Sequence, residues 1–179
     1  MLTISALNAM PVPEFTTALG AVFEHSPWVA QRAAAQRPFR SREELHQALC
    51  RQVAQASAAE QDALILAHPR LGARAGQRAQ LTQSSAHEQS RAGLDACTDQ
   101  EFTELLRLNE LYMARFAFPF ILAVRGHTPD SILASMTQRL GNDPATERAT
   151  ALQQINRIAG FRIGDAVAPE SHSAAPAAQ

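Results

Sequence analysis

Lysine is absent from this chain, and all 16 of its Lys+Arg positions are arginine. Without a primary side-chain amine, no Schiff base can form with a carbonyl substrate and pyridoxal phosphate has no covalent anchor. The bias toward Arg and Ala is that of GC-rich coding, but the chemical exclusion holds whatever its origin. Cysteine is scarce too. Cys50 and Cys97 lie far apart in helical patterns, with no CxxC spacing, and are read as structural. Glycine never gathers into GxGxxG or GxxxxGK[ST] ahead of a helix, which removes the usual cradle for a nucleotide phosphate. HExxH is missing, and His68, His87 and Glu88 have no tight ligand spacing, so neither a metal nor any other cofactor is expected. No apolar run approaches the roughly 20 residues that cross a bilayer, and Met1 to Ser5 does not begin a secretory signal. A net charge of -1, with no run of like charge, offers no field to attract nucleic acid or an anionic membrane. These absences predict a cytoplasmic protein that binds neither nucleic acid nor membrane, and they leave a homodimer open.

With 179 residues, 46% of them apolar, the chain can bury one substantial core and is short for two. Helix starts recur along it. Ser41 to Glu44, Ser57 to Glu60, Ser85 to Glu88 and Thr98 to Glu101 have capping-box form, while Thr128-Pro129 and Asp143-Pro144 put a cap before a first-turn proline. Between these starts the apolar residues keep helical spacing, as in Phe102, Leu105, Leu106, Tyr112, Met113 and Phe116. Only Phe118 to Val124 has β-like character, and a lone strand has nothing to pair with. The expectation is an all-α fold, a single compact domain of about seven to eight helices over residues 1–165. Pro69 to Gln83 reads as a loop, and residues 166–179, rich in Ala, Pro and Ser, read as a disordered tail.

Several polar residues stand where periodicity predicts burial. His68 continues the stripe of Gln61, Leu64 and Ile65 to the last turn before Pro69; it is either a capping imidazole held by the helix dipole or a poised acid/base group. Asn109 lies in the stripe of Leu105, Tyr112 and Phe116, where its amide needs partners and is best read as bracing a neighbouring loop. Arg162 shares a face with Ile155, Ile158 and Ala159, so an obligatory cation points inward, toward either an internal salt bridge or an anionic ligand. Glu88 has a capping position of its own, and the free amides of such a helix start also suit an anion or a polar ring. His87 reads as exposed.

In their order along the chain these clusters resemble the OHCU decarboxylase family, enzymes acting on 2-oxo-4-hydroxy-4-carboxy-5-ureidoimidazoline in the last step from urate to allantoin. The resemblance rests on Ala67-His68-Pro69-Arg70-Leu71, on Leu81 to Gln89 with Ala92-Gly93-Leu94, on Leu108-Asn109-Glu110-Leu111-Tyr112 leading into Phe116 to Gly126, and on Arg157-Ile158 to Arg162-Ile163. It implies a cofactor-independent carboxy-lyase that makes (S)-allantoin, with His68 as the catalytic acid/base and Glu88 as its acidic partner. By the same resemblance Pro69, Ser85, Ala86, His87, Glu88, Gln89, Phe120, Ile121, Leu122, Ala123, Val124 and Arg162 contact the ureidoimidazoline, with Gln89 and Arg162 orienting it. The family pattern usually reads Phe-Gly-Phe-Pro-Phe where this chain has Ala117, a difference that matters if the backbone there requires positive φ. Arg70 and Gly72-Ala73-Arg74 replace the acidic and lysine residues common in that loop. A helical interaction module without chemistry, or a lyase or hydrolase acting on another ureido-substituted ring, remains an alternative from the residues alone.

Overall fold

The computed structural model describes residues 1–72 and 81–169. Among them are nine α-helices: α1 (Ile4–Ala9), α2 (Val12–Leu19), α3 (Trp28–Ala33), α4 (Arg42–Gln55), α5 (Ala58–Leu66), α6 (Gln83–Arg91), α7 (Asp99–Phe116), α8 (Pro129–Arg139) and α9 (Pro144–Ala166). The described residues form no strand, only an isolated bridge between Leu2 and Val167. The all-α expectation therefore holds. The count exceeds the expected seven to eight because α1 and α3, of 6 residues each, are too short to show a periodic stripe in the sequence.

Five of the six expected helix starts form where the capping residues stand, at Ser41, Ser57, Thr98, Thr128 and Asp143. The sixth is displaced. Thr82, not Ser85, caps α6, its hydroxyl accepting from the Ser85 amide. Two Ser/Thr caps spaced three residues apart competed for this start. The earlier one forms the cap, and both hydroxyls donate to Glu24. Glu88 is thereby released from capping and sits one turn into the helix. Of the expected loop from Pro69 to Gln83, residues 73–80 lie outside the described residues.

Two cores hold the molecule together. The larger gathers the inner faces of α1 to α5 with Ala151, Ile155, Ile158, Ala159 and Ile163 of α9. The smaller forms where α7 packs against α8, around Leu105, Leu108, Tyr112, Ile132 and Met136. Phe118 to Val124 runs between them, and its side chains alternate: Ile121 and Ala123 enter the larger core, Phe120, Leu122 and Val124 the smaller. Successive side chains of an extended chain point to opposite sides, so a segment buried on both must be apolar at every position, as this one is. This accounts for β-like character in a segment without a sheet.

Disorder was expected from residue 166 on, but the ordered chain continues through that boundary. α9 extends to Ala166, Val167 is fully buried, and Leu2 bonds the Ala166 carbonyl and the Ala168 amide at 2.9 and 2.7 Å. Composition suggested a tail; one valine with a waiting apolar hole extends the fold past it. Residues 170–179 lie outside the described residues.

Candidate active site

His68 follows α5 directly, and its ring turns back onto that helix. Nδ1 lies 2.9 Å from the Leu64 carbonyl, which can only accept, so Nδ1 carries the proton and the neutral ring presents Nε2 as its basic nitrogen. His68 makes no other side-chain hydrogen bond to a described residue. The residue is only 8% exposed, and burial pushes its pKa below the ordinary histidine value, against the opposing pull of the Leu64 carbonyl and of Glu24.

Arg162 of α9 is the centre of a buried ion cluster. Its Nε and Nη2 donate to the two oxygens of Glu88 at 2.8 and 3.0 Å, its Nη1 donates to Glu24 at 2.8 Å and to the Ala21 carbonyl at 3.1 Å, and Nη2 reaches the Ser85 hydroxyl at 3.3 Å. Five acceptors thus meet the five N–H groups of a guanidinium. The internal salt bridge open for this residue forms, and its fork is fully engaged. Glu24 is 2% exposed. Burial alone would raise its pKa, but the Thr82 hydroxyl at 2.6 Å and the Arg162 cation outweigh it and hold the carboxyl below its usual range. Two carboxylates face one arginine, so the cluster carries a net negative charge beside a neutral imidazole.

The turn after His68 is braced by two carboxamides. Gln89 accepts from the Gly72 amide at 3.0 Å and donates to the Arg70 carbonyl at 3.3 Å, while Asn109 donates to the Leu71 carbonyl at 3.0 Å. Asn109 is therefore the loop brace expected of it. Gln89 performs the same service, although ligand orientation was expected of it. Gly72 has φ +83°, and a Cβ there would lie 2.3 Å from Leu105 Cδ2.

These elements line a narrow cleft of about 30 Å³. His68, Pro69, Ser85, Glu88, Gln89, Phe120, Ile121, Leu122, Val124 and Arg162 all line it, joined by Leu71 and Ile158, which had not been singled out. Ala123 and the exposed His87 line an adjoining recess instead, together with Arg91, Arg125 and Phe161. Ala86 lines neither. The peptide groups of the Phe118 to Val124 segment are only partly engaged: the Ala123 amide donates to Gln154 and the Ile121 carbonyl accepts from Arg139, while the Leu122 and Val124 amides bond no described residue. Buried amides seldom go unpaired, and along a cleft wall they suit the carbonyl and carboxylate oxygens of a ligand.

The chain matches the family model described as OHCU decarboxylase over residues 8–164. It belongs to that family. It is 40% identical over 169 residues to a protein named 2-oxo-4-hydroxy-4-carboxy-5-ureidoimidazoline decarboxylase from Haloferax volcanii, covering 94% of this chain and 98% of that protein. It is 43% identical over 167 residues to the uric acid degradation bifunctional protein PucL of Bacillus subtilis, of which it covers 33%. The crystal structure of an (S)-allantoin synthase superposes with a TM-score of 0.76 at 28% identity, over 93% of this chain and 54% of the other.

Within this family member the most consequential residue that sequence reasoning missed is Glu24. It stands on an irregular stretch between α2 and α3, where no helical stripe could mark it as inward. The only signal was a carboxylate directly after the apolar pair Val22-Phe23.

Proposed function

We propose that His68 transfers the proton in the decarboxylation of 2-oxo-4-hydroxy-4-carboxy-5-ureidoimidazoline, the reaction of the family to which the chain belongs. The observation that carries this reading is the tautomer: a buried neutral imidazole, locked by Leu64, with Nε2 as its free basic nitrogen in a cleft that also holds Glu88. The substrate contains its own electron sink. As the bond to CO2 breaks, its electrons form a ring C=C bond and the adjacent C=N nitrogen takes the charge. Nε2 accepts the proton of the neighbouring hydroxyl, which becomes the carbonyl of the product. A proton then returns to the former C=N carbon on one face, and the ring nitrogen takes up a second proton from solvent, giving (S)-allantoin. The imidazolium formed on the way is stabilised by the excess negative charge of Glu24 and Glu88 around Arg162. The amides of Leu122 and Val124, which bond no described residue, supply donors for substrate oxygens.

Glu88 and Arg162 act as a unit here, the arginine holding the carboxylate against the cleft wall. The test is His68→Asn, which keeps the size of the side chain but cannot shuttle a proton. With freshly generated substrate, and circular dichroism to follow allantoin chirality, the variant should lose about 10²- to 10⁴-fold in rate while still binding allantoin. What allantoin appears should be racemic. A stereoselective, active His68→Asn protein would refute the assignment.

A further inference from the structure

Outside the cleft the molecule buries a second ion cluster. Glu147, in the first turns of α9, is 0% exposed, and Arg139, the last residue of α8, is 8% exposed. Arg139 Nε donates to Glu147 at 2.9 Å and Nη2 bonds the same carboxylate, which also accepts from the Tyr112 hydroxyl and, at 2.7 Å, from the Asn142 amide. An arginine-glutamate pair alone could serve stability, but the third nitrogen does something else. Nη1 donates to the Ile121 carbonyl at 2.8 Å, and the guanidinium carbon lies 4.5 Å from the centre of the Phe120 ring. Neither Arg139 nor Glu147 lines the cleft, whereas Phe120 and Ile121 do.

The geometry points to Arg139 as a positioning residue for the reaction, an inference that rests on the cleft being the active site. An extended segment between two cores has no ladder to set the orientation of its peptide groups. Arg139 supplies that function at Ile121, and Gln154 of α9 does so at Ala123, where its Oε1 accepts the amide at 3.0 Å. With these two groups held from behind, the Leu122 peptide between them keeps one orientation toward the ligand. Glu147 keeps Arg139 in place through Nε and Nη2.

Three variants test this. Arg139→Lys keeps the charge but cannot reach Glu147 and Ile121 together as a planar fork. The double variant Arg139→Met with Glu147→Gln removes both buried charges at once, leaving neither unpaired, and serves if the lysine variant does not fold. Tyr112→Phe removes one bond to Glu147 while keeping Arg139 on Ile121. Both Arg139 variants should fold, lose about 10- to 100-fold in kcat/KM and form allantoin of lower enantiomeric excess, with the acid limb of the pH profile unmoved because His68 keeps its surroundings. Tyr112→Phe should lower the melting temperature yet stay within about twofold of the parent kcat/KM. Parental rate and enantiomeric excess in a folded Arg139 variant would overturn the inference, as would an equal loss of rate in Tyr112→Phe. A parent protein inactive on the substrate would instead strike at the reading of the cleft itself.

Discussion

At the scale of single residues, charge pairing decides what each site group can do. Arg162 has committed every N–H to Glu24, Glu88, Ser85 and Ala21, so Arg162→Lys, with three donors for five acceptors, should cost about 1–3 kcal/mol in stability. It should lower turnover as well, because Glu88 loses its bidentate hold. Thermal melts run alongside kinetics check this, and a variant with parental stability and impaired turnover would restore a direct ligand role. The pH dependence follows from the direction of two shifts. His68 titrates below its ordinary value, so the unfolded chain binds its proton first as pH falls; the contribution of this residue to stability is complete above about pH 6.5 and is lost below it. Glu24 is likewise depressed, with a contribution present above the ordinary glutamate range and lost as pH falls through it. Melting temperature should therefore decline on acidification from neutrality, and the acid limb of kcat/KM should fall below pH 6.5. Glu24→Gln removes an attraction for the imidazolium and should move that limb to still lower pH.

Element ends are where this chain departs from expected rules. α7 terminates at Ala117 with φ 60°, the left-handed conformation that glycine adopts freely. Alanine is strained there, so Ala117→Gly should raise stability by about 0.5 kcal/mol, a shift of roughly 1–2 °C in Tm for a chain of this size. The opposite change at the turn after α5 should be harmful. Gly72→Ala would set a methyl against Leu105, itself locked in the smaller core, at positive φ. A loss of about 2 kcal/mol is expected, together with reduced activity, since the same turn carries Pro69 and Leu71 into the cleft wall. Chemical denaturation of the two variants should give shifts of opposite sign.

For the whole molecule, closure of the chain ends matters more than composition suggests. Val167 fills the larger core, and its flanking residues pair with Leu2. Truncation after Ala166 should therefore cost about 2 kcal/mol from the lost valine burial, or roughly 4–8 °C, whereas truncation after Pro169 leaves these contacts in place and provides the comparison. Among the described residues, no helix is long and apolar enough to cross a membrane.

Five helix caps and the inward direction of His68, Asn109 and Arg162 were legible in the amino-acid order, because each depends on neighbours within a turn or two. The extended Phe118 to Val124 segment was legible as well, as an apolar run of β-like character. Its purpose was not, since such a run records burial on two sides without saying by what. What Arg162 and Gln89 bond to was hidden for the same reason. Their partners Glu24, at 138 residues' separation, and Gly72, at 17, are brought near only when α2, α6 and α9 pack. Local sequence determined which groups face inward, through helical periodicity and the cost of exposing apolar surface. Tertiary packing alone decided which of those groups neutralise one another and which nitrogen stays free for chemistry, because a buried charge or amide is defined by the acceptors that surround it in space.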